Sequence, residues 1–382
     1  MKKTYLILLL AVLPVMAQRT IQYDRSLVSQ VRIDLRDLGY PPVDVIPSDE
    51  CAIRALTVAP SGAVYGITSG KRAHLFVLFP RHGYVKPLGV IPGVSTVYRA
   101  LVVAQDGSVI FGSGSPDGHL YQDTPKGDES KPIRVDAPLE VKDLGVPVAG
   151  EGVFALAINR MFQVIYGVTT PNGHFFSYDI KQARFTVHGK VAERKMPGEK
   201  FENEKSIGRE LVLDAEGNVY ASGENGTIYQ CSLSGRLVAL PKAVLTVPGR
   251  EPYVRVDAWT VVDSGAIYGG SSDGYLFRLD PKTGNTQNLG KPLNQYRIRG
   301  LVAAPGGKLY GVGGDDDEMA RLFSYDPATG VYELLGMLEV NRRPYYAWQA
   351  YVIDAMAIGL DGTIYMGQSE RRSKLYLYYP ER

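Results

Sequence analysis

Three of the five histidines in this 382-residue chain occupy the same place in a recurring local pattern. Each one follows a short turn and opens an alternating strand, in the stretches GKRAHLFVL, PDGHLYQD and PNGHFFSYD, which contain His74, His119 and His174. An imidazole takes up and releases protons near neutral pH, so it can serve as a general acid or base. The pattern predicts either a structural preference of the fold or a proton-transfer site built on a repeat.

A set of arginines also shares one local setting. Each of them opens an apolar strand, eight residues before a turn glycine; they are Arg54, Arg99, Arg209 and Arg299. The planar guanidinium donates paired hydrogen bonds to a carboxylate. If the fold brings these arginines together, they predict a binding site for an anionic ligand such as an acidic sugar.

The strands that carry both sets belong to an internal repeat. An apolar strand, a glycine turn, a Tyr-Gly strand, a second turn and an alternating strand recur seven times, at intervals of roughly 42 to 55 residues. RALTVAPSGAVYGITSGKRAHLFVL and DAWTVVDSGAIYGGSSDGYLFRLD are two of the copies, and most are followed by a fourth strand such as YVKPLGVI. Four short antiparallel strands at this period are typical of a β-propeller. We therefore predict an all-β fold: one seven-bladed β-propeller domain over residues 18–382.

The seventh copy reaches Arg382 without a fourth strand. VRIDLRDLG, at residues 31–39, has the pattern of such a strand but belongs to no other blade. We predict that it pairs with the last blade and closes the ring, which removes the open sheet edges. Cys51 and Cys231 fall in different blades, so we expect both to be free thiols.

A propeller places the two sets on one face. With strands named a to d from the axis to the rim, the starts of strands a and c lie on the face of the d–a and b–c connections, here called the top face. The start of strand a reads, from the first blade to the seventh, Arg54, Arg99, Phe154, Arg209, Asp257, Arg299 and Asp354. The start of strand c reads His74, His119, His174, Thr227, Tyr275, Arg321 and Lys374. Because strand a lines the central channel, the first ring should point into the top of a funnel.

Further residues are predicted to act at the top face. Tyr275 is a reserve acid, and Arg321 and Lys374 add positive charge for an anionic substrate. The connection NRRPYYAWQAY, before the seventh blade, carries Tyr345 and Trp348, whose rings can stack on sugars.

Each feature also has a structural explanation. The histidines could stiffen strand c against the neighbouring blade. The arginines could pair with Asp257, Asp354 and backbone carbonyls as a plug, and the aromatic connection could cap the propeller. The convergence of all three features on one face favours a binding or catalytic site.

β-Elimination from a uronic acid is the reaction that best fits these residues. Arginine neutralises the carboxylate, which acidifies the adjacent C5 proton, and a neutral histidine can remove that proton while a second histidine or a tyrosine protonates the leaving oxygen. We predict His119 and His174 as the proton-transfer pair, with His74 positioning the substrate or neutralising its carboxylate. A glycosidase would need two flanking carboxylates, and Asp257 and Asp354 lie away from the histidine blades.

A seven-bladed propeller with His, Tyr and Arg residues on its top face resembles the secreted propeller polysaccharide lyases that cleave ulvan-type uronates. The stretch PPVDVIPSDECAIRALTVAPSGAVYGITSGKRAHLFVLFPRHGYVKPLG also resembles the Bacteroides-type propellers that act on rhamnose–glucuronic acid caps of plant arabinogalactan proteins. That resemblance extends over essentially the whole mature chain. It implies an L-rhamnose-α-1,4-D-glucuronate lyase. Related propeller α-L-rhamnosidases use one histidine on the opposite face, where His82 is the residue that we can place.

Two other hypotheses stay open. The three histidines could bind a divalent metal, as in propeller lyases of oligogalacturonate, although we favour a site without a cofactor. Alternatively, the propeller binds acidic glycans or a partner protein without catalysis. GDDDE, at residues 314–318, lacks the spacing of a calcium loop.

The first seventeen residues, MKKTYLILLLAVLPVMA, have the pattern of a secretory signal peptide. We therefore expect a periplasmic or secreted protein. The formal net charge of the whole chain is +2, and removal of Lys2 and Lys3 with the leader brings it to zero. A neutral mature chain argues against nucleic acid and membranes as partners. The expected partner is an acidic plant or algal polysaccharide or oligosaccharide, bound by a monomer.

Overall fold

The computed structural model describes residues 31–34, 46–81, 84–124, 134–192, 207–240, 254–342, 346–370 and 372–380. The predicted signal peptide, residues 1–17, lies outside these ranges. No helix within them is long and apolar enough to cross a membrane.

The described strands form seven four-stranded antiparallel sheets. Blade 1 contains β2 Ala52–Val58, β3 Val64–Ser69, β4 His74–Phe79 and β5 Tyr84–Val90. Blade 2 contains β6 Leu101–Val103, β7 Val109–Gly112, β8 Leu120–Asp123 and β9 Lys142–Gly145. Blade 3 contains β10 Gly152–Asn159, β11 Val164–Thr170, β12 His174–Asp179 and β13 Arg184–Lys190. Blade 4 contains β14 Val212–Leu213, β15 Val219–Ser222, β16 Ile228–Cys231 and β17 Leu237–Leu240.

The remaining blades follow the same plan. Blade 5 contains β18 Val256–Val261, β19 Ile267–Ser271, β20 Leu276–Asp280 and β21 Asn285–Gly290. Blade 6 contains β22 Ile298–Ala303, β23 Leu309–Asp315, β24 Glu318–Asp326 and β25 Val331–Met337. A two-stranded hairpin, β26 Glu339–Arg342 and β27 Tyr346–Gln349, leads to blade 7. Blade 7 contains β28 Ile353–Ile358, β29 Ile364–Gln368, β30 Lys374–Tyr378 and β1 Val31–Asp34.

The strand near the start of the chain closes the ring as predicted. β1 pairs antiparallel with β30, with Val31 opposite Tyr376 and Asp34 opposite Lys374. The inner strands contact one another in chain order, and β28 contacts β2. The seven-bladed β-propeller is therefore confirmed, and its outermost seventh-blade strand comes from residues 31–34; the rest of the predicted segment, 35–39, lies outside the described residues.

The core lies between the blades. Among the described residues, seven hydrophobic clusters each join two adjacent blades. One of them packs Ile53 and Phe76 of blade 1 against Tyr365 and Leu375 of blade 7, so packing as well as strand pairing closes the ring. Cys51 and Cys231 are buried in different blades and do not form a disulfide, as expected.

The Tyr-Gly pattern of strand b has a packing explanation. In four blades the glycine lies opposite a phenylalanine of strand c; the pairs are Gly66–Phe76, Gly167–Phe176, Gly269–Phe277 and Gly311–Phe323. A Cβ atom on Gly269 would lie 2.2 Å from the Phe277 ring, so the ring occupies the space that a side chain would need. In these four blades the motif thus lets a large aromatic side chain fill the space beside strand b.

Candidate functional site

The backbone of strand a directs the ring of funnel residues into the channel. In five blades the pairing of strand a with strand b shifts register by one residue, and that extra residue is the funnel residue; these are Arg54, Phe154, Asp257, Arg299 and Asp354. A β-bulge leaves one residue outside the ladder and changes the direction of its side chain. Repeated bulges therefore turn a ring of sequence positions into a ring of convergent side chains.

Two buried aspartates organise the arginines at the top of the channel. Asp354 accepts hydrogen bonds from Arg54 (2.6 Å), Arg209 (2.9 Å) and Arg299 (2.6 Å), and the Ser369 hydroxyl donates to it at 2.7 Å. These three arginines come from blades 1, 4 and 6. The prediction that the arginine ring converges is thus correct, and so is the alternative that the arginines pair with these aspartates.

Asp257 is the second centre. It accepts hydrogen bonds from Arg255 at 2.7 Å and from Arg297 at 2.7 Å. The Arg209 Nε atom lies 3.9 Å from the same carboxylate. Arg255 and Arg297 each stand two residues before a funnel residue and directly before the first residue of β18 and β22. The ring of funnel positions in the sequence did not include these two arginines, although an arginine two residues before such a position was the signal that marked them.

Arg99 and Arg299 donate their hydrogen bonds to acceptors within the protein. Arg99 donates to the backbone carbonyl of Asp257 at 2.6 Å and also to that of Arg299, across the channel from its own blade. Arg299 is buried and donates to the Gly314 carbonyl, Asp354 and Asp315. These two guanidiniums have their donors turned to protein acceptors, which leaves Arg54 and Arg209 as the better ligand contacts.

A pocket of about 380 Å³ opens above this network on the top face. Its walls are formed by Arg54, Ser69, Gly70, Ser95, Thr96, Val97, Tyr98, Arg99, Phe154, Arg209 and Asp354. A second cavity of about 210 Å³ lies along the inner strands, where Glu210 joins Arg99, Asp354 and mostly apolar side chains. Arg99 and Asp354 line both cavities and form the layer between them.

Positive charge exceeds negative charge in the network. Its arginines are Arg54, Arg99, Arg209, Arg255, Arg297 and Arg299. Its carboxylates are Glu210, Asp257, Asp315 and Asp354. Among the described residues, the ion pairs of this network join six arginines to four carboxylates. Even with every carboxylate ionised, this set keeps an excess of two positive charges, which an anionic ligand would offset.

The protonation of these groups follows from burial and crowding. Burial by itself would raise the pKa of Asp354, but Arg299, Arg209 and Arg54 hold that pKa well below its usual value. Burial, together with the charge of Arg297, lowers the pKa of Arg209 to about 9. Burial raises the pKa of Glu210 to about 7, although Arg99 and the backbone N–H of Trp259 oppose the shift. A cation and an acid thus both lie far from their usual ranges, as is typical of functional sites.

The three histidines lie outside this pocket. His74 is fully buried and its Nε2 atom is 2.6 Å from Glu50, so its ring has no surface for a substrate in this structure. Burial lowers its pKa, against the opposing effect of Glu50. This is the structural role that the sequence left open for His74.

His119 and His174 are partly exposed, at 34% and 22% of the side chain. The Nδ1 atom of His119 lies 2.9 Å from Asp143, and its ring stacks on Tyr121 at 5.7 Å. The Nδ1 atom of His174 lies 2.7 Å from Glu151. Both rings therefore have a carboxylate neighbour that can orient them, but neither lines the pocket with the arginines.

A shared backbone contact positions the start of strand c. The N–H group of His119 donates to the Ser113 hydroxyl, and that of His174 donates to the Thr169 hydroxyl. The same contact links His74 to Thr68 and Tyr275 to Ser271, while the Lys374 N–H donates to the Gln368 side chain. In these five blades a side chain of strand b or of the residue after it thus fixes the backbone at the start of strand c, although the residue at that position differs.

The other predicted residues are dispersed. Tyr275 and Arg321 are half-buried and Lys374 is buried on their own blades, so none of them lines the pocket. Trp348 lies on β27 opposite Val340. Tyr345 and His82 lie outside the described residues. His188, on the outer strand β13, lies 2.8 Å from the Ser177 hydroxyl, as expected for a structural residue.

A metal site built from the three histidines does not form. Among the described residues, no group of three His, Cys, Asp or Glu side chains is placed to bind a metal ion. The metal-dependent alternative thus lacks its ligand set in this part of the chain.

Fold and pocket together define a seven-bladed β-propeller with an arginine-rich pocket at the top of its channel. No protein-family model matches the sequence, and a search of curated proteins finds no match. Solved structures do share the fold. A virginiamycin B lyase from Staphylococcus aureus aligns over 86% of this chain and 96% of its own, with a TM-score of 0.60 and 13% identity.

Two other solved structures with a similar fold are proteins of different kinds. The WD40 propeller domain of Doa1 aligns over 92% of this chain and 97% of its own, with a TM-score of 0.56 and 12% identity. A fungal alcohol oxidase of the AA5 family, in complex with copper, aligns over 86% and 74%, with a TM-score of 0.62 and 15% identity. At these identities the similarity establishes the fold alone, so function has to be argued from the site.

Proposed function

We propose that this protein is a lyase that binds a uronic-acid-containing polysaccharide at the top-face pocket and cleaves it by β-elimination. The proposal rests on the hydrogen bonds of Arg54 and Arg209, their place in the pocket wall and their exposure. Each directs its Nη1 group to Asp354, lines the pocket, and remains partly exposed, at 36% and 26% of the side chain. A uronate carboxylate would accept their outward donors and offset the excess positive charge. Terminal rhamnose–glucuronic acid is the unit that the family resemblance implies.

The reaction needs a base and an acid near the sugar. In the proposed step, one imidazole takes the C5 proton, the C4–O4 bond breaks as a C4–C5 double bond forms, and a second imidazole gives its proton to O4. His119 and His174 are the proposed pair, because they lie on adjacent blades, reach solvent, and have Asp143 and Glu151 beside them. A carboxylate neighbour holds an imidazole in one orientation.

The distance between strand a and strand c determines which sugar the arginines contact and which sugar the histidines contact. Strand c stands two strand spacings, about 10 Å, from strand a. A uronate bound by Arg54 and Arg209 is therefore the anchor of the glycan. The reacting sugar is a second uronate further out over blades 2 and 3, so in this proposal the arginines bind the glycan and do not take part in the proton transfer.

The test is an assay of acidic polysaccharides for the ultraviolet absorbance of an unsaturated uronate product. Replacing Arg54 and Arg209 by Gln should raise KM more than tenfold, whereas Arg278→Gln, at an exposed position of β20, should leave it unchanged. His119→Ala or His174→Ala should lower kcat by about 10²-fold or more, with His188→Ala as the control. Equal turnover of the carboxyl-reduced polysaccharide would contradict the proposal. Loss of activity in His82→Ala, with both cluster variants active, would favour an α-L-rhamnosidase.

A binding module is the second candidate function. The absence of the histidines from the pocket lining favours it, because ligand binding at the arginines needs no proton transfer. Retained glycan affinity in His119→Ala and His174→Ala, with no product from the wild-type protein, would select this function.

A further inference from the structure

Residues 95–98, between β5 and β6, form one wall of the top-face pocket and are fixed on both sides. The Ser69 hydroxyl accepts the Val97 N–H at 2.9 Å and donates to the Val97 carbonyl at 3.0 Å. The Gly70 N–H donates to the Ser95 carbonyl at 3.1 Å, and the Gly114 N–H donates to the Thr96 carbonyl at 2.8 Å. Blades 1 and 2 thus hold this short connection in one conformation, unlike a free surface loop.

The anchored wall includes an aromatic residue, Tyr98, among those that line the pocket. Tyr98 is half-buried, and its ring packs on that of Phe154 with 4.9 Å between centroids and an angle of 53°. Phe154 is a buried bulge residue of β10, so it supports Tyr98 from a rigid strand. The polar face of the pocket, with Arg54 and Arg209 on Asp354, belongs to the same cavity.

An aromatic wall and a cationic wall in one cavity suit a particular shape of ligand. A sugar ring has an apolar face of C–H groups that packs on an aromatic ring, while a carboxylate on that ring can reach an arginine. An open-chain anion of the same size has no flat face and can use the cationic wall alone. The pocket volume of about 380 Å³ leaves room for a pyranose ring.

We propose that Tyr98 is the ring-binding residue of this pocket, and that the pocket selects a carboxylate carried on a pyranose ring over an open-chain carboxylate. The inference rests on the proposed function and deepens it, because it names the shape of the anchor sugar. Tyr98 acts by stacking, Phe154 positions it, and the arginines bind the carboxylate.

The experiment compares the affinities of D-glucuronate and D-gluconate by isothermal titration calorimetry. Both carry one carboxylate and six carbons, but glucuronate closes to a pyranose and gluconate stays open. The wild-type protein should bind glucuronate about fivefold more tightly, which is the scale of one aromatic contact. Tyr98→Ala should bring the two affinities together without changing that for gluconate, and Tyr98→Phe should keep the preference.

Each outcome separates ring recognition from lyase chemistry. Equal wild-type affinities, or an equal loss for both ligands in Tyr98→Ala, would overturn the role of Tyr98 even if polysaccharide is cleaved. A preference that depends on Tyr98, in a protein that forms no unsaturated product, would support the ring site and refute the lyase. No binding of either anion would overturn the ring site together with the carboxylate pocket.

Discussion

Asp354 is the residue on which the candidate site depends. Its two oxygens hold arginines from blades 1, 4 and 6, and Ser369 of its own blade completes the set. A carboxylate in this position does two things: it offsets part of the crowded positive charge, and it turns the outward donors of Arg54 and Arg209 toward the pocket. It is therefore a positioning residue that also stabilises the ring.

Asp354→Asn should destabilise the protein strongly. The substitution leaves three guanidiniums around a neutral amide, and breaking a buried ion pair on one side costs about 3–5 kcal/mol. We expect this loss in the free energy of unfolding measured by urea denaturation. Asp317→Asn, at an exposed position of the same charge, is the matched control and should change little. Equal stability of the two variants would contradict the central role of Asp354.

Glu210 should make anion binding depend on pH. Its carboxyl lies 3.8 Å from Arg99, accepts the Trp259 N–H at 2.8 Å, and also feels the charge of Asp257. Its pKa of about 7 means that rising pH adds a negative charge beneath the pocket. Because the ligand carboxylate stays ionised throughout, the affinity for glucuronate should fall as the pH rises through about 7. Titration calorimetry at several pH values measures this effect.

The control for this prediction is Glu210→Gln, which cannot ionise. Its affinity should vary less with pH and should match that of the wild-type protein at low pH. The same shift also bears on stability: a raised pKa means that the folded protein binds the proton more tightly than the unfolded chain, so the contribution is present at low pH and is lost as the pH rises toward about 7. An unchanged pH dependence in Glu210→Gln would assign the effect to another group.

At the scale of elements, two devices repeat from blade to blade. Bulges in strand a direct the funnel residues into the channel, and a glycine in strand b makes room for a phenylalanine of strand c. The bulge belongs to the site and the glycine to the core. Both act through strand pairing, so Arg54, Arg299 and Asp354 project from the paired strands themselves.

Gly269→Ala tests the packing device. The new Cβ atom would lie within 2.2 Å of the Phe277 ring, and overpacking of this kind costs about 1–3 kcal/mol. We expect this loss in chemical denaturation. The double variant Gly269→Ala with Phe277→Leu should recover part of it, because the smaller side chain vacates the space. No recovery would mean that the cost arises from the backbone.

At the scale of the whole molecule, the ring is closed by strands from opposite ends of the chain. β1 supplies the outer edge of a blade whose other strands are β28, β29 and β30. The hydrophobic cluster between blades 7 and 1 completes the contact at the inner strands. Closure keeps the arginines of blades 1 and 4 within reach of Asp354 in blade 7, so the site depends on the intact ring.

Substitution of Val31 and Ile33 by proline tests the closure. Proline cannot donate to the ladder, so pairing with Leu375 and Tyr376 should be lost. We expect the free energy of unfolding to fall by about 2–5 kcal/mol, the scale of a few lost hydrogen bonds. Threonine at the same two positions keeps the N–H groups and should cost less. If both pairs of substitutions have the same effect in thermal unfolding, the loss does not come from the missing N–H groups of the strand pairing.

The sequence alone determined the architecture and the membership of each ring of residues. A repeat carries its own register, so the blade count, the closing strand and the convergence of Arg54, Arg209, Arg299, Asp257 and Asp354 at the top of the channel all follow from spacing. The glycines and phenylalanines of strands b and c also follow from this register, because strand pairing is local.

Only the tertiary structure determined which arginine pairs with which carboxylate at the top of the channel. Asp354 contacts Arg54, 300 residues away in sequence, and Arg209, 145 residues away. A local sequence pattern does not predict which N–H groups of an arginine stay available to a ligand after such long-range contacts. His74 is likewise buried against Glu50, and the hydrogen-bonded connection between β5 and β6 places Tyr98 in the pocket wall. Pairing, burial and exposure depend on the summed positions of several blades, so they appear only when the ring is closed.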